Sequence, residues 1–446
     1  MAAGTVDRRD ELDQDVVRFG TRLIAPRRGR ALRDRLVTSL LDDQRLRAAL
    51  FRVVDVAPAC DTPEDLAAHF RAFIDGTGGP RGRVASLARA GQRPIPQRTL
   101  GRLIEAGVRR VARRFIVAET VDAANRPLGR LWEAGVAVTV DLLGEASVST
   151  PEADAYAARC GDALGSLAAA ADGWPERPLL DRDSVGRLSR VNLSIKPTAL
   201  TPFVHPDAPE RGYADLADRL RPLLRRARDL GAHLHVDMES VDTRELTLSV
   251  TLDLLAEPEF ADGPSTGLVI QAYLRDSEDV LDHVLERVGG MGRSVPPTIR
   301  LVKGAYWDHE TIKAIQHGWT PPVWSHKHES DRCFERLARR LVDAFPIVRP
   351  AIASHNVRSI ADGVVYARRS GLGPADLEVQ VLRGLGDDLA VAVAAEGVRV
   401  RTYCPVGDLV AGMGYLVRRL LENSSNESFL VTQKRGVPPS ELLERP

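Results

Sequence analysis

Tyr415, Arg418, Arg419 and Glu422 fall at i, i+3, i+4 and i+7, which puts all four on one face of a helix. Two adjacent guanidiniums beside a phenol can grip a carboxylate, because each offers a planar fork of donors. A surface helix with an internal Arg418–Glu422 pair accounts for the same spacing, so the pattern alone leaves both readings open. A second group stands at the ends of short β-branched runs. In chain order it comprises Asp141 and Glu145, Lys196, Asp237 and Glu239, Gln271, then Lys303, Tyr306 and Trp307, then His355 and Asn356, Arg383 and Tyr403. Strand tails in any scaffold turn polar as they reach water, but recurrent aromatic and cationic groups are harder to explain that way. A third group is His233, His235 and Asp237, which alternate onto one face of a strand and, with His355, could bind a divalent metal as in barrel hydrolases. No further histidine is well placed on the remaining strand ends. Such a site would also leave the arginine pair and the aromatic residues without a role.

These residues need elements to hold them. The runs at 136–140, 191–195, 232–236, 268–272, 299–302, 350–353, 378–382 and 398–403 read as strands. Helix-like segments follow them, for example 213–230 after the second and 278–288 after the fourth. Alternation of this kind implies parallel βαβ units, and eight units are the number in a (β/α)8 TIM barrel, whose catalytic groups gather at the C-terminal ends of the strands. An open doubly wound sheet fits the same alternation, and the run 114–117 could upset the count. Residues 1–110 read as a helical arm, with helical periodicity at 36–41 and 66–74 and a break at 76–80. Gly289-Gly290-Met291-Gly292 follows a helix-like segment, and Gly384-Leu385-Gly386 has incomplete spacing, so neither is a dinucleotide fingerprint of the Rossmann type.

The bulk properties narrow the classes. Sixty-one basic residues balance sixty-one acidic ones among 446, which argues against a nucleic-acid partner. The basic run Arg27-Arg28-Gly29-Arg30 suits a solvated surface. Cys60, Cys160, Cys333 and Cys404 form no CxxC pair, so a reducing cytoplasm is expected and a disulfide framework or zinc site is not. The N-terminus lacks the apolar stretch of a signal peptide.

Several motifs, in order along the chain, resemble those of the proline dehydrogenase family. They are Leu193-Ser194-Ile195-Lys196, Asp237-Met238-Glu239, Gln271-Ala272-Tyr273, Arg300-Leu301-Val302-Lys303-Gly304-Ala305-Tyr306-Trp307, Ser354-His355-Asn356, Tyr403-Cys404-Pro405-Val406-Gly407 and Tyr415-Leu416-Val417-Arg418-Arg419-Leu420-Leu421-Glu422-Asn423. The likeness is greatest to the proline dehydrogenase module of the bifunctional proline utilization A proteins. It implies a distorted (β/α)8 barrel with noncovalent FAD, oxidising L-proline to 1-pyrroline-5-carboxylate by hydride transfer to flavin N5. It further implies a quinone as electron acceptor, a pyrroline-5-carboxylate dehydrogenase, fused or separate, as partner, and a cytoplasmic location with peripheral contact at the inner face of the membrane.

The resemblance also assigns roles. Arg418 and Arg419 clamp the proline carboxylate with help from Lys196. Tyr306, Leu382, Tyr403 and Tyr415 box the pyrrolidine ring, and because that box sets ring specificity, hydroxyproline is the sister substrate, with Tyr403 the tuning position. Glu145 pairs with Arg418 as a lid. Arg300 lies near N5 with Asp237 beside it. Met238, Gln271, Arg300, Lys303, Gly304, Ala305, Trp307, Lys327, Ser354, His355, Asn356 and Glu422 contact the cofactor. No metal is implied. The implied division is an arm at 1–110, a barrel with its final active-site helix at 111–423 and a tail at 424–446. Three positions depart from the commonest pattern: Pro197-Thr198-Ala199 after Lys196, Cys404 after Tyr403, and Ser354. Cys404 reads as a buried packing residue or as an oxidation-sensitive thiol near the site.

Overall fold

Eight short parallel strands close into a barrel in the order β1 to β8 in the computed structural model, which describes residues 3–24, 49, 52–53, 56–75, 96–144, 146–408, 412 and 437–446. The strands are β1 Ala137–Leu142, β2 Asn192–Ile195, β3 His233–Val236, β4 Ser265–Gln271, β5 Thr298–Val302, β6 Arg349–Ala353, β7 Glu378–Leu382 and β8 Val400–Val406. Each lies where the sequence places it, within a few residues at the ends. Closure comes from pairing of β1 with β8, with Thr139 opposite Tyr403 and Asp141 opposite Pro405. That rules out the open doubly wound sheet. The strands are buried along almost their whole length, as parallel strands covered on both faces must be.

Helices ring the barrel and cover its outer face. An N-terminal set precedes it: α1 Ala3–Ile24, α2 Pro63–Asp75, α3 Gln97–Phe115 and α4 Val121–Glu133. Then come α5 Thr150–Ala171, α6 Pro209–Asp229, α7 Val241–Leu255, α8 Ser277–Gly290, α9 Trp307–His317, α10 Lys327–Asp343, α11 Val357–Arg369 and α12 Asp387–Ala395. Helix α6 shows why such segments fold as they do. Leu216, Leu220, Leu223, Leu224 and Ala227 recur at helical spacing and are buried, whereas its arginines face outward to Glu257 and Glu259. One apolar cluster joins α4 to α7 with β1 to β3, and a second joins α8, α10, α11 and α12 with β4 to β7. Val16 and Phe19 bring α1 into the second cluster, so α1 is docked on α11.

The run 114–117 is no ninth strand. Arg114 and Phe115 end α3, and only Ala118 forms an isolated parallel bridge, to Val406. The expected helical segment at 36–41 and the break at 76–80 lie outside the described residues. Among the described residues, no helix is long and apolar enough to cross a membrane.

Candidate active site

The C-terminal ends of the strands open into a cavity of about 1110 Å³. Asp237, just past β3, lines it. Ser194 Oγ on β2 donates to its Oδ1 at 2.8 Å, Arg300 Nη1 on β5 donates to the same oxygen at 2.7 Å, and the Tyr403 hydroxyl on β8 donates to Oδ2 at 2.8 Å. Three donors from three strands hold this carboxylate in one orientation. Burial, with the Asp141 and Asp237 carboxylates, pushes the Tyr403 phenol well above its ordinary range, so it stays a neutral donor. The Arg300 guanidinium also lies 5.3 Å from the Tyr403 ring centre. Its Nε donates to Gln380 Oε1 at 2.7 Å, and Gln380 Nε2 donates to Glu378 at 2.6 Å, which fixes the amide the right way round for Arg300.

Next to this group, Lys196 pairs with the buried Asp141 on β1. Burial works against the lysine charge, but Asp141 and Asp237 outweigh it and hold the ammonium above its usual pKa. Burial pushes the Asp141 carboxyl upward, and its Oδ2 has no hydrogen-bond partner among the described residues. Glu239, also shifted upward by burial, is held by the backbone N–H and hydroxyl of Thr198 at 3.1 and 2.8 Å. The uncommon Pro197-Thr198 pair therefore keeps a structural task.

Away from the barrel axis the cavity runs along the ends of β4 to β7. Gln271 donates from Nε2 to the Glu239 carbonyl at 2.9 Å, and its buried Oε1 has no partner among the described residues. Gly304 has φ +127°, and a Cβ there would stand 2.2 Å from the Tyr273 ring, so only glycine fits. Lys303 and Lys327 both pair with Asp331. Burial pulls Lys303 down to about 8 although Asp331 opposes the fall, and the two lysines keep the Asp331 carboxyl low against its own burial. Trp307 is exposed on the cavity wall, with Nε1 donating to the Trp324 carbonyl at 2.8 Å. Asn356 caps α11, accepting from the N–H groups of Arg358 and Ser359, and Ser354 Oγ accepts from the Asn356 N–H. His355 Nε2 accepts from the Leu382 N–H at 3.0 Å, which fixes its ring.

The residues that the family resemblance assigns within the described range all line this one cavity, namely Lys196, Asp237, Met238, Gln271, Arg300, Lys303, Gly304, Ala305, Tyr306, Trp307, Lys327, Ser354, His355, Asn356, Leu382 and Tyr403, whereas Arg383, His233 and His235, nominated by pattern alone, do not. Glu145, Tyr415, Arg418, Arg419 and Glu422 lie outside the described residues. The sequence did not single out Asp141 as the partner of Lys196, nor Ser194, Gln380, Asp331, Glu335 and Arg358. Asp331 was findable from its i, i+4 spacing to Lys327, and Ser194 from the motif that contains it.

The histidines take another part. His233 and His235 lie 3.1 Å apart, ring nitrogen to ring nitrogen, and His233 meets Ser265 Oγ at 2.8 Å. Burial, with Arg401 near one ring and Arg300 near the other, keeps both neutral. Among the described residues no group of three or more His, Cys, Asp or Glu is arranged to hold a metal ion. Cys404 is fully buried and its thiol is pushed up to about 12 by that burial, which marks it as a packing residue.

A closed parallel barrel with polar groups converging at its C-terminal mouth defines a (β/α)8-barrel enzyme. A proline dehydrogenase family model matches residues 124–432, and a proline utilization A N-terminal domain model matches residues 16–115. The chain belongs to the proline dehydrogenase family. It is 31% identical over 334 residues to the bifunctional protein PutA of Salmonella typhimurium, a match covering 73% of this chain and 24% of that protein. It is 28% identical over 337 residues to proline dehydrogenase 1 of Bacillus subtilis, covering 75% of this chain and 94% of that one. The crystal structure of proline utilization A from Bdellovibrio bacteriovorus inactivated by N-propargylglycine superposes with a TM-score of 0.87 and 34% identity, over 98% of this chain and 44% of that one. The chain thus spans about a quarter of the length of the curated PutA relative, and under half of that crystallised chain.

Proposed function

We propose that the chain binds FAD noncovalently at the barrel mouth and oxidises L-proline to 1-pyrroline-5-carboxylate, the electrons passing on to a quinone. The observation that carries this reading is the Ser194–Asp237–Arg300–Tyr403 group beside the Lys196–Asp141 pair, on the wall of a cavity large enough for a cofactor and a small substrate together.

The residues present fit such a cofactor. Gln271 Oε1, Tyr273 OH and Arg300 Nη2 are buried polar atoms of the cavity wall that lack partners among the described residues. Lys303 and Lys327 supply positive charge suited to phosphates, as do the N-termini of α10 and α11. Met238, Gly304, Ala305, Trp307, Ser354, His355 and Asn356 complete the wall, with Glu422 added from the segment outside the described residues. When bound, FAD supplies the hydride acceptor for the ring carbon next to nitrogen.

The protein's own task is to orient the substrate and set the field. Arg300, held by Asp237 and Gln380, keeps a fixed cation where negative charge develops, without reorganising during the reaction. Among the described residues at the mouth, Lys196 and Arg300 face Asp141, Asp237 and Glu239, so an amino-acid carboxylate needs more positive charge than these provide. Arg418 and Arg419 meet that need, with Lys196 assisting. Tyr306, Leu382, Tyr403 and Tyr415 enclose the ring, and Glu145 closes over it by pairing with Arg418, excluding water. A fused or separate pyrroline-5-carboxylate dehydrogenase takes the product, and the enzyme works in the cytoplasm with peripheral contact at the inner membrane face. Steady-state assay with a soluble quinone, comparing L-proline with hydroxyproline, tests the reading. Turnover that needs FAD and favours proline is expected, and equal efficiency on hydroxyproline would move the substrate assignment.

A further inference from the structure

Part of the cavity wall comes from a segment that carries none of the sequence motifs. Residues 437–446 form that part, with Glu441, Leu442, Glu444 and Pro446 on the wall. This segment holds a one-turn helix, Pro439–Leu442, and is pinned at three points. Leu443 is fully buried in the core, close enough that a Cβ on Gly20 of α1 would stand 2.6 Å from its methyl. The Leu443 carbonyl accepts from Arg358 Nη1 at 2.9 Å, and Arg358 also pairs with Asp13 of α1 and Glu335 of α10. The Pro446 carbonyl accepts from Arg332 Nε at 2.6 Å. The segment thus joins α1, α10 and α11 beside the cavity.

Its chemistry differs from that of the middle of the cavity. Lys303 and Lys327 suit phosphates, whereas Glu441 and Glu444 would repel them. Carboxylates accept hydrogen bonds from hydroxyl and amino groups, and Leu442 and Pro446 offer half-buried apolar surface for a flat ring. Ribose hydroxyls and a purine amine need that combination. We infer that residues 437–446 form the adenosine-binding wall of the cofactor site and set the preference for a dinucleotide flavin over a mononucleotide. The inference rests on the proposed FAD site.

The test is the dissociation constants of FAD and of FMN, by flavin fluorescence, for the wild-type chain and for a variant carrying Glu441→Ala, Leu442→Ser and Glu444→Ala. None of these side chains is in the core, so the fold should survive; far-ultraviolet circular dichroism checks it. The expected result is FAD binding weakened about tenfold, equivalent to about 1.4 kcal/mol, with FMN binding unchanged. Unchanged FAD binding, or equal weakening of FAD and FMN, overturns the inference while leaving the flavin site standing. A wild-type chain that binds neither flavin removes the cofactor reading itself, and the inference with it.

Discussion

The two ends of the barrel both bury arginines against carboxylates, yet they are built for different purposes. At the N-terminal end Arg349 pairs with Asp183 at 2.6 Å, and Arg399 and Arg401 each meet Glu378 at 2.7 Å, around a void of about 20 Å³. That is room for about one water. Burial opposes the Glu378 charge, but the two arginines hold its carboxyl down to about 2. At the C-terminal end Arg300 and Asp237 have as close a contact, but the group faces a cavity of about 1110 Å³; each end keeps buried polar atoms without hydrogen-bond partners among the described residues, Glu378 Oε2 and Arg399 Nε at the first and Arg300 Nη2 and Asp141 Oδ2 at the second. The difference is space: the charges at one end enclose room for about one water, and those at the other face room for a ligand. Gln380 connects the two ends, since it donates to Glu378 below and accepts from Arg300 above.

The comparison can be broken most easily at the closed end. Asp183→Ala strands a buried arginine and is expected to cost about 3–5 kcal/mol of stability, read from urea unfolding, with FAD affinity intact. A variant of normal stability, or one that loses flavin selectively, would show that the floor is not purely structural. At the open end the proposed clamp gives the largest kinetic effect. Arg419→Ala should raise the proline KM a hundredfold or more, on the order of 3 kcal/mol, with little change in stability. An unchanged KM would take this residue out of the substrate site.

Gln380→Leu sharpens the link between the ends. With its Nε released, Arg300 should lose orientation, slowing flavin reduction about tenfold, or about 1.4 kcal/mol, while the proline KM stays near the wild-type value. Equal changes in rate and KM would point to general disruption of the mouth. The smallest effect is expected at the proposed lid. Glu145→Ala should slow turnover several-fold, around 1 kcal/mol, and leave flavin binding alone; normal turnover would remove the lid.

How much of this could be read from the residues depended on what each feature needs. The strands were legible because a strand buried on both faces is a short β-branched run, and the mouth was legible because polar groups follow those runs directly. Pairings were not. Lys196 meets Asp141 only because β1 and β2 are neighbours, and Tyr403 reaches Asp237 only because the barrel closes between β1 and β8. The floor was missed for a related reason: Arg349, Arg399 and Glu378 stand at or beside strand starts, where charge normally signals contact with water. His233 and His235 show the limit of a local pattern, since their alternation is real but the buried rings face each other. The role of 437–446 depends on contacts with α1, α10 and α11, hundreds of residues distant in the case of α1, and no local pattern carries it.

The central claim is that the open end holds a flavin poised to oxidise proline. Its most direct test is the visible spectrum of the purified protein, supplied with FAD, before and after L-proline is added without oxygen. Flavin absorption that bleaches on addition is the expected result. A protein that takes up no flavin, or whose flavin bands persist in the presence of L-proline, would contradict it.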